Sequence, residues 1–347
     1  MVQDSRSAPD TWSGPNPDKP GLPRRLLRPW LGPPWRGVLR LRAKATVEWP
    51  AAISGWRARD RDPRQIVRAW PDTGPELLPD VAVFVHFDPA GEIRPRVRRY
   101  LAALRQAGFS VLVASNAEAL CAGAETVLRD LADGYLIRRN IGYDFGAMRE
   151  ALTHWRLPRA TTRGVLLVND SVIGPFAPLR PLLDRIDFSV ADVWGATDSP
   201  QRGYHLQSFF LAAGRDALLH PAWSAFWRDV RPAQSKEFVI GHYEIGLTQS
   251  LLRAGLRGRA LFPYDDLLAR LRRGTPASSA RRRQRDHARR ILDRGGVLNP
   301  TAHLWRELLD AGFPFVKREL LGRNPAGILD VAEWRDAVGV EPTDDWS

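Results

Sequence analysis

The sequence predicts an α/β protein built on a mostly parallel, Rossmann-like sheet flanked by helices, with a helical C-terminal portion. Three observations predict it. Val165 to Val168 are continuously apolar, which suits a strand buried on both faces. That run stops abruptly at Asn169, Asp170 and Ser171, where an open parallel sheet would meet a ligand beyond its strand ends. From Asp80 onward, strand-like and helix-like segments alternate at lengths that imply right-handed crossovers between parallel strands.

Residues 1–37 include Pro15, Pro17, Pro20, Pro23, Pro29, Pro33 and Pro34, a density that no helix or central strand tolerates, and they read as a disordered Pro/Arg-rich arm. Residues 38–79 read as a basic connecting segment. Val81 to Phe87 is a strand. Ile93 to Gln106 carries Val97, Tyr100, Leu101 and Leu104 at helical spacing and ends at Gly108. Phe109 to Ser115 is the next strand, Ala117 to Leu131 a helix, Gly134 to Arg139 a strand, and Phe145 to Trp155 a helix leading to the Gly164 strand. Regularity then weakens. Ala191 to Thr197 reads as a short strand and His205 to Ala213 as a strand antiparallel to the rest. Helices are expected over Arg215 to Val230 and over Phe238 to Ala254, the latter stopped by Gly255. Arg270 to Arg290 is an Arg-rich helix or insertion, and the remainder is helical. Residues 80–269 thus form the main domain and 270–347 an extension.

Composition narrows the function. With 347 residues and 44% hydrophobic content the chain can bury an ordinary core and is not a disordered protein. Lys and Arg total 51 against 39 Asp and Glu, a net charge of +12 that favours nucleotide diphosphates, anionic lipid headgroups or nucleic acid. Only Lys19, Lys44, Lys236 and Lys317 are lysines, so the surplus is almost all arginine and equally fits a codon-biased genome. Cys121 stands alone, which excludes an internal disulfide framework and a multi-cysteine zinc site and suits a reducing cytoplasm. No segment resembles a secretory signal or approaches the ~20 apolar residues of a membrane span. The expected place is the cytoplasm, free or peripheral at the inner membrane. Arg24, Arg25 and Arg28 beside Leu26, Leu27 and Trp30 suit contact of the basic arm with a membrane surface, or a tail whose tryptophans pack on the domain. A basic recognition helix and an aromatic strand motif are both lacking, so no nucleic acid partner is expected.

Polar clusters end the strands. Besides Asn169 to Ser171, the run Arg138 to Gly146 ends the preceding strand. Several motifs in this order resemble the rhamnan synthesis protein F family: VHFDPAG at 85–91, RRNIGYDFGAM at 138–148, LLVNDSVIGPF at 166–176, HLQSFFL at 205–211, VIGHYEIGLTQSLLRAGL at 239–256 and PFVKRELL at 314–321. The resemblance spans Val81 to Leu321. It implies a GT-A-like fold for residues 80–269 and a glycosyltransferase of bacterial surface polysaccharide synthesis, often one assigned to rhamnose. Its donor would be a nucleotide sugar, and its acceptor a growing polysaccharide or a lipid-linked sugar. A non-catalytic scaffold of the same fold is the alternative.

Each need of sugar transfer has a candidate. The resemblance makes Asp170 a catalytic candidate, at the position where GT-A enzymes bind Mg²⁺ or Mn²⁺ between donor phosphates; its single carboxylate favours a sugar or ribose hydroxyl instead, and a carboxylate capping the turn before Gly174 and Pro175 is the other reading. Asn140, Gly142, Asp144, Asn169 and Ser171 are donor-binding candidates, with Gly142 allowing close approach and the Gly146 end of a helix offering free N–H groups to phosphate. Asp144 could also be a plain N-cap. The resemblance makes Glu244, at the head of a helix, the base that deprotonates the acceptor; a first-turn glutamate stabilising the helix dipole is the other reading, and His242 is a weaker base. His205, Gln207 and Ser208 would line the acceptor pocket. His86 and Asp88 would lie near the donor's base or be structural. Lys317 and Arg318 would reach the diphosphate or be surface charges.

Overall fold

The computed structural model describes residues 65–72, 74–274, 278–341 and 345–346. The proline-rich arm and most of the connecting segment lie outside the described residues. The first half of the chain alternates as expected: β1 (Ile66–Trp70), β2 (Asp80–His86), α1 (Pro95–Gln106), β3 (Ser110–Ser115), α2 (Ala124–Leu131), β4 (Gly134–Arg138), α3 (Tyr143–His154) and β5 (Gly164–Asn169). It continues through β6 (Val172–Ile173), α4 (Arg180–Leu183), β7 (Val193–Ser199), β8 (His205–Leu206), β9 (Phe210–Gly214), α5 (Arg215–Leu219) and α6 (Pro221–Asp229). Then come α7 (Lys236–Phe238), a π-helical segment (Val239–Glu244), α8 (Ile245–Arg253), β10 (Gly258–Phe262), α9 (Tyr264–Arg273) and α10 (Ser279–Asp293). The last elements are α11 (Pro300–His303), α12 (Trp305–Asp310), β11 (Val316–Lys317), α13 (Arg318–Leu321) and α14 (Trp334–Val338).

The strands order as β1-β4-β3-β2-β5-β9-β7-β10, with β8 against β7. Within it β2, β3, β4 and β5 are mutually parallel, β9 runs antiparallel between β5 and β7, and β10 is parallel to β7. This is the GT-A-like arrangement. The continuous apolar runs are explained by burial on both faces. Ala82, Phe84, Val111, Val113, Leu166 and Val168 feed one core, while Val81, Val83, Val85, Leu112, Val165 and Leu167 feed the other.

Several boundaries differ for local reasons. The connecting segment contains an edge strand, β1, which pairs antiparallel with β4 and stacks Trp70 on Tyr135. The helix expected from Ala117 starts at Ala124, because Gly123 takes a left-handed turn (φ 80) and Cys121 N–H is drawn to the Gly91 carbonyl. His205 to Ala213 splits into β8 and β9. Arg215 to Val230 breaks at His220, whose extended backbone precedes Pro221 and whose ring accepts from Ala222 N–H. Arg270 to Arg290 is two helices separated after Arg273.

Residues 314–318 are stitched to the segment that follows the end of β5. Val316 pairs with Ile173 and Lys317 with Val172, Phe176 N–H donates to the Pro314 carbonyl, and Arg318 N–H donates to the Ser171 carbonyl. Gly174 lets the two segments approach: its φ is 134, and a Cβ there would lie 2.4 Å from the Pro314 oxygen. Trp305, Val316, Leu320 and Ile328 form a small core beneath this junction.

Candidate functional site

The strand order reverses between β2 and β5, since β3 and β4 continue on one side of β2 and the chain then crosses to the other. Ligands of open α/β sheets lie at such a reversal, beyond the carboxyl ends of the strands. A cavity of about 590 Å³ opens there, within the usual size of a small-molecule site. Its wall includes Asp144 from the first turn of α3, Asn169 and Ser171 from the end of β5, Ser208 from the β8–β9 connection, Glu244, and Lys317 with Arg318.

The acids are fixed by neighbours. Asp144 Oδ2 accepts from Asn169 Nδ2 at 2.7 Å. Burial pushes its carboxyl up to about 6, the negative charge of Asp170 adds to the rise, and Lys317 and the Asn169 bond oppose it. Asp144 is no N-cap: Gly142 holds that position in a left-handed conformation (φ 88) and Asp144 points to the strand end. Glu244 Oε1 accepts from both Ser208 N–H at 3.0 Å and Ser208 Oγ at 2.9 Å. It does not head a helix, as expected from sequence, but stands inside a continuous helical run at the π-to-α junction, so an interaction with a helix N-terminus is excluded.

The cations arrive on the β11–β6 ladder. Lys317 Nζ donates to Ser171 Oγ at 2.8 Å and lies 4.8 Å above the Phe209 ring. Burial lowers its pKa, while the charges of Glu244 and Asp144 counter that fall. Ser171 Oγ in turn bonds Asn169 Oδ1, so Lys317, Ser171, Asn169 and Asp144 form one hydrogen-bonded chain. Arg318 Nη1 donates to Asp170 Oδ2 at 3.1 Å, and Phe87 N–H reaches the same oxygen at 3.4 Å.

Asp170 therefore stands behind the cavity wall, engaged with Arg318, rather than facing into the space. Gln207 and Ser208 line the cavity, although Gln207 Oε1 also accepts from Thr197 Oγ1. His205 is buried to one side against the Gly203 carbonyl. Asn140 is exposed, with its carbonyl accepting from Gln234. The Gly146 N–H is not free for phosphate, since it donates to the Gly142 carbonyl at 2.9 Å. His86 is fully buried between Ser115 Oγ and the Glu92 carbonyl, and burial lowers its pKa. Asp88 caps the following turn through Ala90 and Glu92 N–H and pairs with Arg94 at 2.6 Å. His242 is exposed and stacks on Phe238.

Sequence reasoning missed Lys236 and Asn299, both on the cavity wall. Each follows or forms a helix cap, Ser235 before Lys236 and Asn299 before Pro300, so the readable signal was the cap and not the cavity. The donor set does not fit a divalent cation held by protein alone. Among the described residues no group of three or more His, Cys, Asp or Glu is placed to hold a metal, and the carboxylate of Asp170 is already paired with a guanidinium.

Fold and site together define a GT-A-like α/β protein with an acid- and cation-lined cavity at the carboxyl edge of its sheet. The model of the family described as "Rhamnan synthesis protein F" matches residues 111–276. Virulence protein VirA of Vibrio anguillarum is 32% identical over 213 residues, 58% of this chain and 67% of VirA. The chain belongs to the rhamnan synthesis protein F family. The uncharacterized protein y4gN of Sinorhizobium fredii is 27% identical over 54% of this chain and 50% of its own length. Among solved structures, the mannosyltransferase PcManGT of Pyrobaculum calidifontis, in complex with GDP-Man and Mn²⁺, is similar at a TM-score of 0.35 and 16% identity, covering 86% of this chain and 85% of that one. The galactosyltransferase LgtC, in complex with donor and acceptor sugar analogs, is similar at a TM-score of 0.33 and 13% identity, covering 77% and 97%.

Proposed function

We propose that the chain is a glycosyltransferase that moves a sugar from a nucleotide-diphosphate donor to a growing surface polysaccharide or a lipid-linked acceptor. Rhamnose is the sugar the family's name suggests. One observation carries the reading: acids on two separate elements, Asp144 and Glu244, share a cavity with Lys317 and Arg318. Such a cavity suits a reaction in which a proton leaves the acceptor while negative charge develops on a departing diphosphate.

In this reading Glu244, oriented by Ser208, takes the proton of the acceptor hydroxyl. The freed oxygen bonds to the anomeric carbon, and the bond from that carbon to the phosphate oxygen breaks. Lys317 and Arg318 meet the charge that collects on the diphosphate. Asp144 and Asn169 hold donor hydroxyls, and Gln207 and Ser208 contact the acceptor. The protein would work on the cytoplasmic side of the inner membrane; among the described residues no helix is long and apolar enough to cross a membrane.

The test is a panel of nucleotide sugars screened by thermal shift, since a ligand that binds only the folded state raises the midpoint. The best binder is then supplied with membranes or purified polysaccharide. A raised midpoint and sugar incorporation are expected. Absence of binding across the panel, with polysaccharide made normally by cells carrying Glu244→Gln, would refute the reading.

A further inference from the structure

Tyr143 opens α3 with a backbone that suits glycine. Its φ is 52, in the left-handed region, and it follows Gly142 at φ 88. A bulky side chain resists that conformation, which glycine or asparagine takes at less cost. Burial of the ring does not offset the strain. Phe145, two residues on, is buried and packs against Phe226, Trp227 and Tyr243, whereas Tyr143 is 38% exposed and its hydroxyl donates to the Gln234 carbonyl at 3.4 Å. An aromatic ring kept in a strained and exposed place points to a role other than folding.

That place is the lip of the main cavity, whose wall includes Tyr143. The start of α3 packs on the segment that leads into the π-helical run: Gly142 lies against Pro232, the Tyr143 hydroxyl reaches Gln234, and Phe145 meets Tyr243. Val239 and Ile240 of that run also line the cavity, so apolar surface from two elements adjoins the carboxylates of Asp144 and Glu244 and the amide of Gln207. Carboxylates and an amide exchange hydrogen bonds with hydroxyl groups, and apolar surface receives C–H groups. A pyranose ring carries both, hydroxyls around its edge and C–H bonds on its faces. Tyrosine supplies a flat, rigid contact for such a face at low cost in side-chain entropy.

We propose that Tyr143 is a binding platform for the apolar face of a sugar ring, of donor or acceptor, held at the cavity mouth with hydroxyls towards Asp144 and Glu244. The left-handed turn at Gly142 and Tyr143 leaves the tyrosine ring at the mouth, while the next residue, Asp144, turns inward to Asn169. The platform depends on the glycosyltransferase reading only for the entry of a sugar and needs no transfer to act. A nucleobase would stack on the same ring, and the experiment separates the two.

The experiment compares full-length wild type with Tyr143→Gly, Tyr143→Asn and Tyr143→Phe in binding and thermal unfolding. The donor arm sets UDP, GDP and dTDP beside their hexose conjugates by calorimetry; the acceptor arm titrates methyl rhamnoside, mannoside and galactoside by NMR. The glycine and asparagine variants should melt within about 4 °C of the wild type, because relief of the left-handed strain offsets the lost contacts. Both should lose about three- to tenfold in sugar affinity, the worth of one aromatic contact, while Tyr143→Phe, which keeps the ring, stays within about twofold. Loss with the conjugates but not the free diphosphates assigns the platform to the donor sugar, and loss with the methyl glycosides assigns it to the acceptor. Equal loss with a diphosphate and its conjugate, which marks a base, would overturn the proposal. So would sugar affinity that is unchanged or falls only together with the melting temperature, or a wild type that binds no sugar in either arm. Failure of the glycosyltransferase reading looks different: sugars bind, Tyr143→Gly weakens them, and no transfer occurs.

Discussion

Asn169 Nδ2 donates to Asp144 Oδ2 at 2.7 Å and so joins the end of the central strand to the first turn of α3, 25 residues earlier. The bond aims the Asp144 carboxylate but does not offset its burial, which raises its pKa from 3.8 to about 6. In that window the folded chain keeps a proton that the unfolded chain has released, so this group's contribution makes stability fall as pH rises from 3.8 to about 6 and then level off. Asp144→Asn should lack that decline. Urea unfolding of both proteins across the window measures it. Diphosphate binding should also tighten for the wild type as pH falls towards 5, because neutral Asp144 no longer repels the anion, and this pH dependence should be absent in Asp144→Asn.

Glu244→Gln preserves side-chain volume and removes the base. Transfer should fall by about 10²–10⁴-fold, the usual worth of a positioned general base, while nucleotide-sugar affinity changes little. Initial rates at saturating donor, together with calorimetric binding, separate the two effects. A loss of affinity equal to the loss of rate would assign Glu244 to donor binding instead.

Treatment with EDTA should change nucleoside-diphosphate affinity by less than about threefold, since the only acid at the end of β5, Asp170, is held by Arg318. Lys317→Met should weaken the same affinity by about tenfold, the loss of one charge-assisted contact to phosphate. Calorimetry with and without Mn²⁺ tests both expectations.

Gly174→Ala should destabilise the protein by about 1–3 kcal/mol, because alanine resists this backbone conformation and its methyl would press on the Pro314 carbonyl. The injury should spread to binding: a displaced β11 no longer delivers Lys317 to Ser171. A lowered melting temperature with unchanged diphosphate affinity would show that the ladder and the site are independent.

Much of the sheet was legible because strands buried on both faces have no polar residues until they end, so β5 and its terminus at Asn169 stood out. Strand β1 did not, because its IVRAW sequence belongs to a partly exposed edge, where Val67 and Arg68 face solvent. The acids at the strand end were visible, but their roles were not. Which way the peptide turns after Asn169, and that Asp170 would meet a guanidinium 148 residues later, depend on a tertiary junction with no periodic signal. The caps that precede α7 and α11, Ser235 and Asn299, carry no sign in the sequence that Lys236 and Asn299 share a cavity wall.

The π-helical segment from Val239 to Glu244 holds wider turns than the α-helices on either side. Each wide turn takes up an extra residue, so the six residues Val239–Glu244 wind through roughly the same angle as five α-helical ones. Loss of one residue between Val239 and Tyr243 should therefore let ordinary i to i−4 bonding close up with Lys236 and Glu244 both near their places. The run absorbs one residue of chain length that the cavity does not register, and the aim of Glu244 is set by the flanking helices rather than by the count of residues that lead to it.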